Sequence, residues 1–368
     1  MLPETMRFEL FDRLSIKTMR YVNAVPRHKA KGLVKRVYDM IAEDFFVNGS
    51  LSSHSKVPEL MAGVWVGGRE TILVPDYLDQ TTKEAMTATL SSINDCPYCG
   101  DMLVSLVHSG GDHQAASQIL SATEEHIADS TLRDRLEWVK AVATPGYNGK
   151  IPQVFTREEL PEAIGSIMAM SHINRFSHVV MDGSPVNAPF GLDRIKQAAL
   201  RLFGHELKST KQQTVIPGRS LGLLPPAELP DDLAWARSNP RIAEALSRWA
   251  STVEKQAEEL ISKEVEDCVY KNLHNWHGEQ MPMSRSWVEK EVGKLTGKNR
   301  AIAKLALVLA KAPYQIDESL VEAVIEDQKD ETDFIRVLAW SAFTAARNIA
   351  FRIARESEQT ELRVERAA

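Results

Sequence analysis

Two cysteines three residues apart carry the plainest chemical signal in this chain. Cys96-Pro97-Tyr98-Cys99 opens a helical pattern, with Asn94 or Asp95 where an N-cap belongs and Pro97 suited to the first turn. That spacing lets two sulfurs approach within bonding distance. A thiol at a helix start faces the positive end of the helix dipole, which favours its thiolate. Cys96, read as the more exposed sulfur, is expected to attack, and Cys99, one turn on, to resolve. Metal binding and simple packing are the competing readings of the pair. A structural zinc site needs four ligands, and Cys268 with scattered histidines adds neither a second Cys-x-x-Cys nor a His-x-x-x-His. The expectation is therefore a redox pair with no metal and no bound cofactor.

Helices must position these sulfurs, because almost the whole chain follows helical periodicity. Apolar spacing predicts helices over 79–93, 101–109, 114–127, 131–143, 159–181 and 192–207, then over 232–275, 284–296, 298–311, 317–326 and 331–356. Period-2 alternation is scarce, and β-branched clusters such as Thr71-Ile72-Leu73-Val74 are short, so the fold class is all-α. The stretch 208–230, rich in Ser, Thr, Gln, Gly and Pro, is the best domain boundary. A weak internal repeat spans it. Lys83-Glu84-Ala85 recurs as Lys263-Glu264-Val265, Pro145 has a counterpart in Pro313, and the helix around Arg175 matches one around Arg347.

The stretch from Glu84 through eleven residues to Cys-x-x-Cys, followed by a helix, resembles the alkylhydroperoxidase D-like group of the carboxymuconolactone decarboxylase superfamily. Pro58-Glu59-Leu60 and Arg69-Glu70-Thr71-Ile72-Leu73-Val74 upstream, and His172-Ile173-Asn174-Arg175-Phe176 and Ser184-Pro185 downstream, extend the likeness over most of 57–205. With the internal repeat, the resemblance reads as two tandem helical bundles, 57–215 with the cysteine pair and 216–368 as a degenerate copy, and the charge balance reads 1–56 as a basic arm before them. The resemblance implies a homo-oligomer that reduces a peroxide or a partner's disulfide through Cys96 and Cys99, with Glu84 as the base. The implied partners are a peroxide or other small-molecule substrate and a peroxiredoxin or thiol reductant. The family's relay histidine, four residues after the second cysteine, is replaced by Leu103. At about 100° per residue that position lies roughly 40° from Cys99, within reach of its sulfur, whereas His108 falls on the opposite face. Tyr98, Asp101 or His172 are the candidate substitutes. Two other classes stay open: a non-redox decarboxylase-type enzyme acting on a small acid or lactone, and a non-catalytic helical binding or assembly protein.

In the second half, twelve residues after Glu264 stands Trp276, and Glu279 takes the place of Cys99, so this half has the pattern without the chemistry. Trp276-His277-Gly278-Glu279 reads equally as a pocket wall or a turn. Cys268 is expected to be a small buried hydrophobe. Arg175 and Arg347, inside long apolar helices, are each expected to pair with a carboxylate within the fold. Gly110-Gly111 is a helix stop rather than a phosphate loop, and Met102, Met168, Met170 and Met181 read as core.

Composition bounds the rest. The chain has 368 residues, 43% of them hydrophobic, and a formal net charge of −6, which fits a globular protein and argues against nucleic acid. Residues 1–36 hold nine Lys/Arg against three acids, read as a basic arm on an acidic body. No apolar run approaches the roughly 18 residues of a membrane span, and the N-terminus lacks the apolar core of a secretory signal, so a cytoplasmic setting is expected.

Overall fold

The computed structural model describes residues 18–184, 193–207 and 214–367; the amphipathic stretch Phe8–Leu14, Pro185 and part of the 208–230 link lie outside them. The first half carries α1 (Gly32–Asp44), α2 (Pro58–Gly68), α3 (Gln80–Ile93), α4 (Pro97–Ser109), α5 (His113–Leu120), α6 (Ser130–Ala143), α7 (Leu160–Val180) and α8 (Asp193–Leu207). The second carries α9 (Pro240–Ala257), α10 (Lys263–His274), α11 (Ser286–Glu291), α12 (Gly297–Lys311), α13 (Glu318–Ile325) and α14 (Glu331–Ala367). Among the described residues there is no strand, only an isolated antiparallel bridge between Met19 and Met181, and the fold is all-α. None of the described helices is long and apolar enough to cross a membrane.

Local chemistry sets most boundaries. Asp79, Asp112, Asp129, Asn239, Ser262 and Asp317 accept backbone N–H groups at the starts of α3, α5, α6, α9, α10 and α13. Gly111, at φ 97°, ends the run after α4, as the glycine pair predicts. One expectation is corrected. The pattern over 232–275 is three pieces, a 3₁₀ segment Asp231–Ser238 and then α9 and α10, because Asn239-Pro240 starts a new helix. The cluster Thr71–Val74 continues from α2 as a π-helical turn, Arg69–Leu73, closed by Val74 N–H donating to Arg69 O at 3.0 Å.

A single hydrophobic cluster runs from Val22 to Ala354 and joins both halves. Residues 32–56, grouped with the arm by charge, belong to it: Val37, Tyr38 and Ile41 of α1 are buried, and α1 packs on α2. The segment from Thr18 lies on the end of α7, where the Arg20 guanidinium donates to Val179 O and His178 O. The most extensive helix pairing is α7 with α14, and α9 packs on α2. Here Trp249 fills a groove left by Gly63 and Gly67; a Cβ on Gly67 would overlap its ring. Gly67→Ala is therefore expected to destabilise the whole fold by about 1–3 kcal/mol, read as a lowered urea midpoint.

An aromatic stack closes this junction. His54 stacks on Phe176 with centroids 3.7 Å apart, and His172 meets Trp249 edge-on at 4.9 Å. Burial pushes His54 down to about 3 and holds His172 well below its ordinary value, so both stay neutral in the folded chain. The unfolded chain takes up their protons near pH 6.5 and the folded one does not. Stability is therefore expected to fall on acidification from pH 7 towards 4, by up to about 1.4 kcal/mol per pH unit for each histidine. Urea unfolding at stepped pH should show a shallower slope in His172→Phe.

Candidate functional site

The cysteine pair opens α4, with Cys96 at its N-cap position and Cys99 in its first turn. Ser91 O accepts from Cys96 N at 3.0 Å, and His178 Nδ1 approaches Asp95 O at 3.2 Å. Asp95 adopts φ 51°, and the N-cap position of α4 belongs to Cys96 itself, with Pro97 at the first turn. The expected Asn94 or Asp95 side-chain cap is thus not made; Asn94 ends α3 instead. Cys96 still stands at the helix start, and its sulfur lies at disulfide distance from Cys99 with Cα atoms 5.4 Å apart. Helix α8 covers α4, and Asn174 of α7 accepts from Ser91 Oγ at 3.0 Å, tying α3 to the core.

The expected difference in exposure is absent: Cys96 is 3% exposed and Cys99 4%. What separates them is the pocket. A cavity between α2, α3, α4 and α7 is lined by Cys99 and not by Cys96. Its walls are almost wholly apolar, with Phe45, Phe46, Trp65, Met102, Leu103, Leu106 and Met170 among them. Met102 and Met170, read as core, therefore face this cavity. Glu84 is its buried carboxylate, on the neighbouring helix α3, and accepts from Gln80 Nε2 at 2.9 Å. Arg69 also borders the pocket, but its charge is matched by Asp44 at 2.8 Å and Glu70 at 2.5 Å.

The auxiliary candidates part company here. Tyr98 lines the pocket, its hydroxyl oxygen accepting from Gly49 N–H at 2.8 Å. Asp101 turns the other way, pairing with Lys196 of α8 at 2.8 Å and accepting from Ser184. His172 is in the aromatic stack at the junction of the halves and does not border the pocket. His108 faces α8 beside His113, on the far side of α4, as the helical angle requires. Sequence reasoning missed the apolar wall contributed by Phe45, Phe46 and Trp65, which no motif marks; their signal was only their place in the helical pattern.

Two further expectations change. Cys268 is half-buried on a wide cleft rather than buried, and burial first, then Glu291, push its thiol up. It is expected to alkylate slowly at pH 7 and faster as pH approaches 9, which mass mapping after timed iodoacetamide would show. Arg347 pairs with Asp232 at 2.5 Å and Glu254 at 2.5 Å, as expected, whereas Arg175 meets no carboxylate among the described residues. Among the described residues no group of three or more His, Cys, Asp or Glu is placed to hold a metal ion.

Comparison with known proteins adds one relative. The chain is 27% identical over 336 residues to a Mycobacterium tuberculosis protein named alkyl hydroperoxide reductase, covering 91% of this chain and 94% of that protein. No family model matches the chain. The relative spans both halves, and its name supports the alkylhydroperoxidase-like resemblance that Glu84 and the cysteine pair carry.

Proposed function

We propose that this protein is a thiol–disulfide oxidoreductase that reduces an organic hydroperoxide through Cys99 and Cys96. The observation that carries this reading is the shared apolar pocket of Glu84 and Cys99. Glu84 accepts the Cys99 thiol proton, and the thiolate attacks the peroxide O–O bond. The distal oxygen stays on sulfur as a sulfenic acid, and the alkoxide takes a proton and leaves as the alcohol. The Cys96 thiol then attacks the Cys99 sulfur, water departs, and the disulfide closes. An external dithiol, or the thiols of a partner protein, reduces it by exchange. The pocket's apolar walls favour an alkyl or aryl hydroperoxide over hydrogen peroxide.

The sulfur that attacks is thus the reverse of the one the helix-start argument names. The dipole favours a thiolate at Cys96, but a substrate reaches only the atom that borders the cavity. Segments 57–215 and 216–368 are read as tandem units of one helical type, supported by the pairing of α7 with α14. The second unit lacks the redox pair. In it Glu264 and Lys263 are exposed, while Glu84 and Lys83 are buried.

The test is peroxide consumption by the purified chain with a dithiol donor, coupled to thiol counting. Loss of two thiols per cumene hydroperoxide consumed, restored by the donor, is the expected result. Turnover that survives complete alkylation of the pair would overturn the reading and favour non-redox chemistry in the same cavity.

A further inference from the structure

Arg175 is a buried cation without a counter-ion among the described residues. Its Nη1 donates to Ser171 O and its Nη2 to Ala310 O, each at 3.2 Å, while buried Nε has no partner. Arg352, from α14, mirrors it across the junction of the halves. Its Nη2 donates to Val142 O at 3.0 Å, its Nε is likewise buried without a partner, and Glu356 Oε1 lies 3.6 Å from Nη1. Each arginine thus reaches a last-turn carbonyl of a helix in the other half, Ala310 of α12 or Val142 of α6. Those carbonyls carry only the partial charge of a helix end. Burial, and then the charge of Arg352, hold Arg175 down to about 10. A buried charge matched only by carbonyls is costly to keep.

Both guanidinium groups face one cavity that shares no lining residue with the cysteine pocket and is bounded by Leu90, Ile93, Trp276 and Ile349. The buried Ser171 hydroxyl belongs to a residue that also lines it, and has no partner among the described residues. Lys311 is a third cation on the wall, although Glu291 and Glu279 face it from the neighbouring cleft. Asp95 is the acid on this lining, and it is exposed at the rim. Two arginines and a hydroxyl converging in apolar walls match one chemistry. The guanidinium fork takes a carboxylate, and the walls take its hydrocarbon body.

We propose that this cavity is a binding site for a small organic carboxylate, held between Arg175 and Arg352 with its apolar body against Ile93, Trp276 and Ile349. The site does not depend on the redox reading. Part of its wall is Trp276 and Gly278, from the stretch whose sequence reads equally as turn or pocket wall.

Calorimetric titration of the full chain with octanoate, at low salt, tests it, with octanol and inorganic phosphate as comparison probes. Saturable one-to-one binding of octanoate below about 1 mM is expected. It should weaken at least about tenfold in Arg175→Met and in Arg352→Gln, and stay unchanged in Cys99→Ser. Octanol binding as tightly would show a merely apolar cavity, and phosphate binding in place of octanoate would show an inorganic-anion site; either overturns the proposal. So would octanoate binding unaffected by both arginine variants, or no saturation at all. Should Arg175→Met fail to fold, Arg352→Gln decides alone. A purely structural role for the two arginines predicts less stable variants and no rise in the wild-type Tm on adding octanoate, and that result too would overturn it.

Discussion

Cys99→Ser is expected to lose dithiol-driven peroxide consumption by about a thousandfold or more, because a serine hydroxyl at that wall is a far poorer nucleophile than a thiolate. Cys96→Ser should behave differently. Its Cys99 still borders the cavity with Glu84, so one equivalent of cumene hydroperoxide is consumed and the sulfenic acid has no thiol to close on. A sulfenate-specific dimedone adduct at residue 99 is the signature, with multiple turnover lost. The assignment rests on the cavity wall, since the exposures of the two sulfurs are nearly equal. An adduct at Cys96 in the Cys99→Ser protein, with peroxide consumed, would reverse the roles of the two sulfurs.

Leu103→His is the second large effect, and its direction is a gain. Leu103 is buried on the pocket wall, one turn after Cys99 on α4, with Glu84 across the cavity. A histidine there would share the pocket wall with base and sulfur and complete a proton relay. General acid–base assistance is typically worth about 10²–10⁴-fold, so even partial restoration should be plain in initial rates. If the pocket instead uses Leu103 only to hold an apolar substrate, the imidazole is buried without a partner. The variant then loses about 1–3 kcal/mol of stability and gains no rate. A folded Leu103→His protein with unchanged turnover would remove the relay account and shift weight to a non-peroxidase role for the pair.

None of these three substitutions lies in the second half of the chain, but the pocket's integrity depends on that half. Trp249 of α9 presses on Gly63 and Gly67 of α2, and α2 supplies Trp65 to the cavity. Strain at that groove, as in Gly67→Ala, is therefore expected to reach the site through α2 rather than stay at the junction.

The residues themselves determined the helical class, most helix boundaries, the stop at Gly111 and the placement of a cysteine pair at a helix start. These depend on local periodicity, capping and the φ preferences of glycine and proline, which are written within a few positions of each other. The helical angle between Cys99, Leu103 and His108 was equally local, and it held. Only the tertiary structure decided which sulfur borders a cavity, because α2 and α7 bring the opposing wall from distant sequence. The same reason removes His172 and Asp101 from the site: one is claimed by Trp249 and Phe176, the other by Lys196. It also separates two arginines that look alike in sequence. Arg347 meets Asp232 and Glu254, while Arg175 meets carbonyls and a cavity, and the difference lies in which elements cover each helix face.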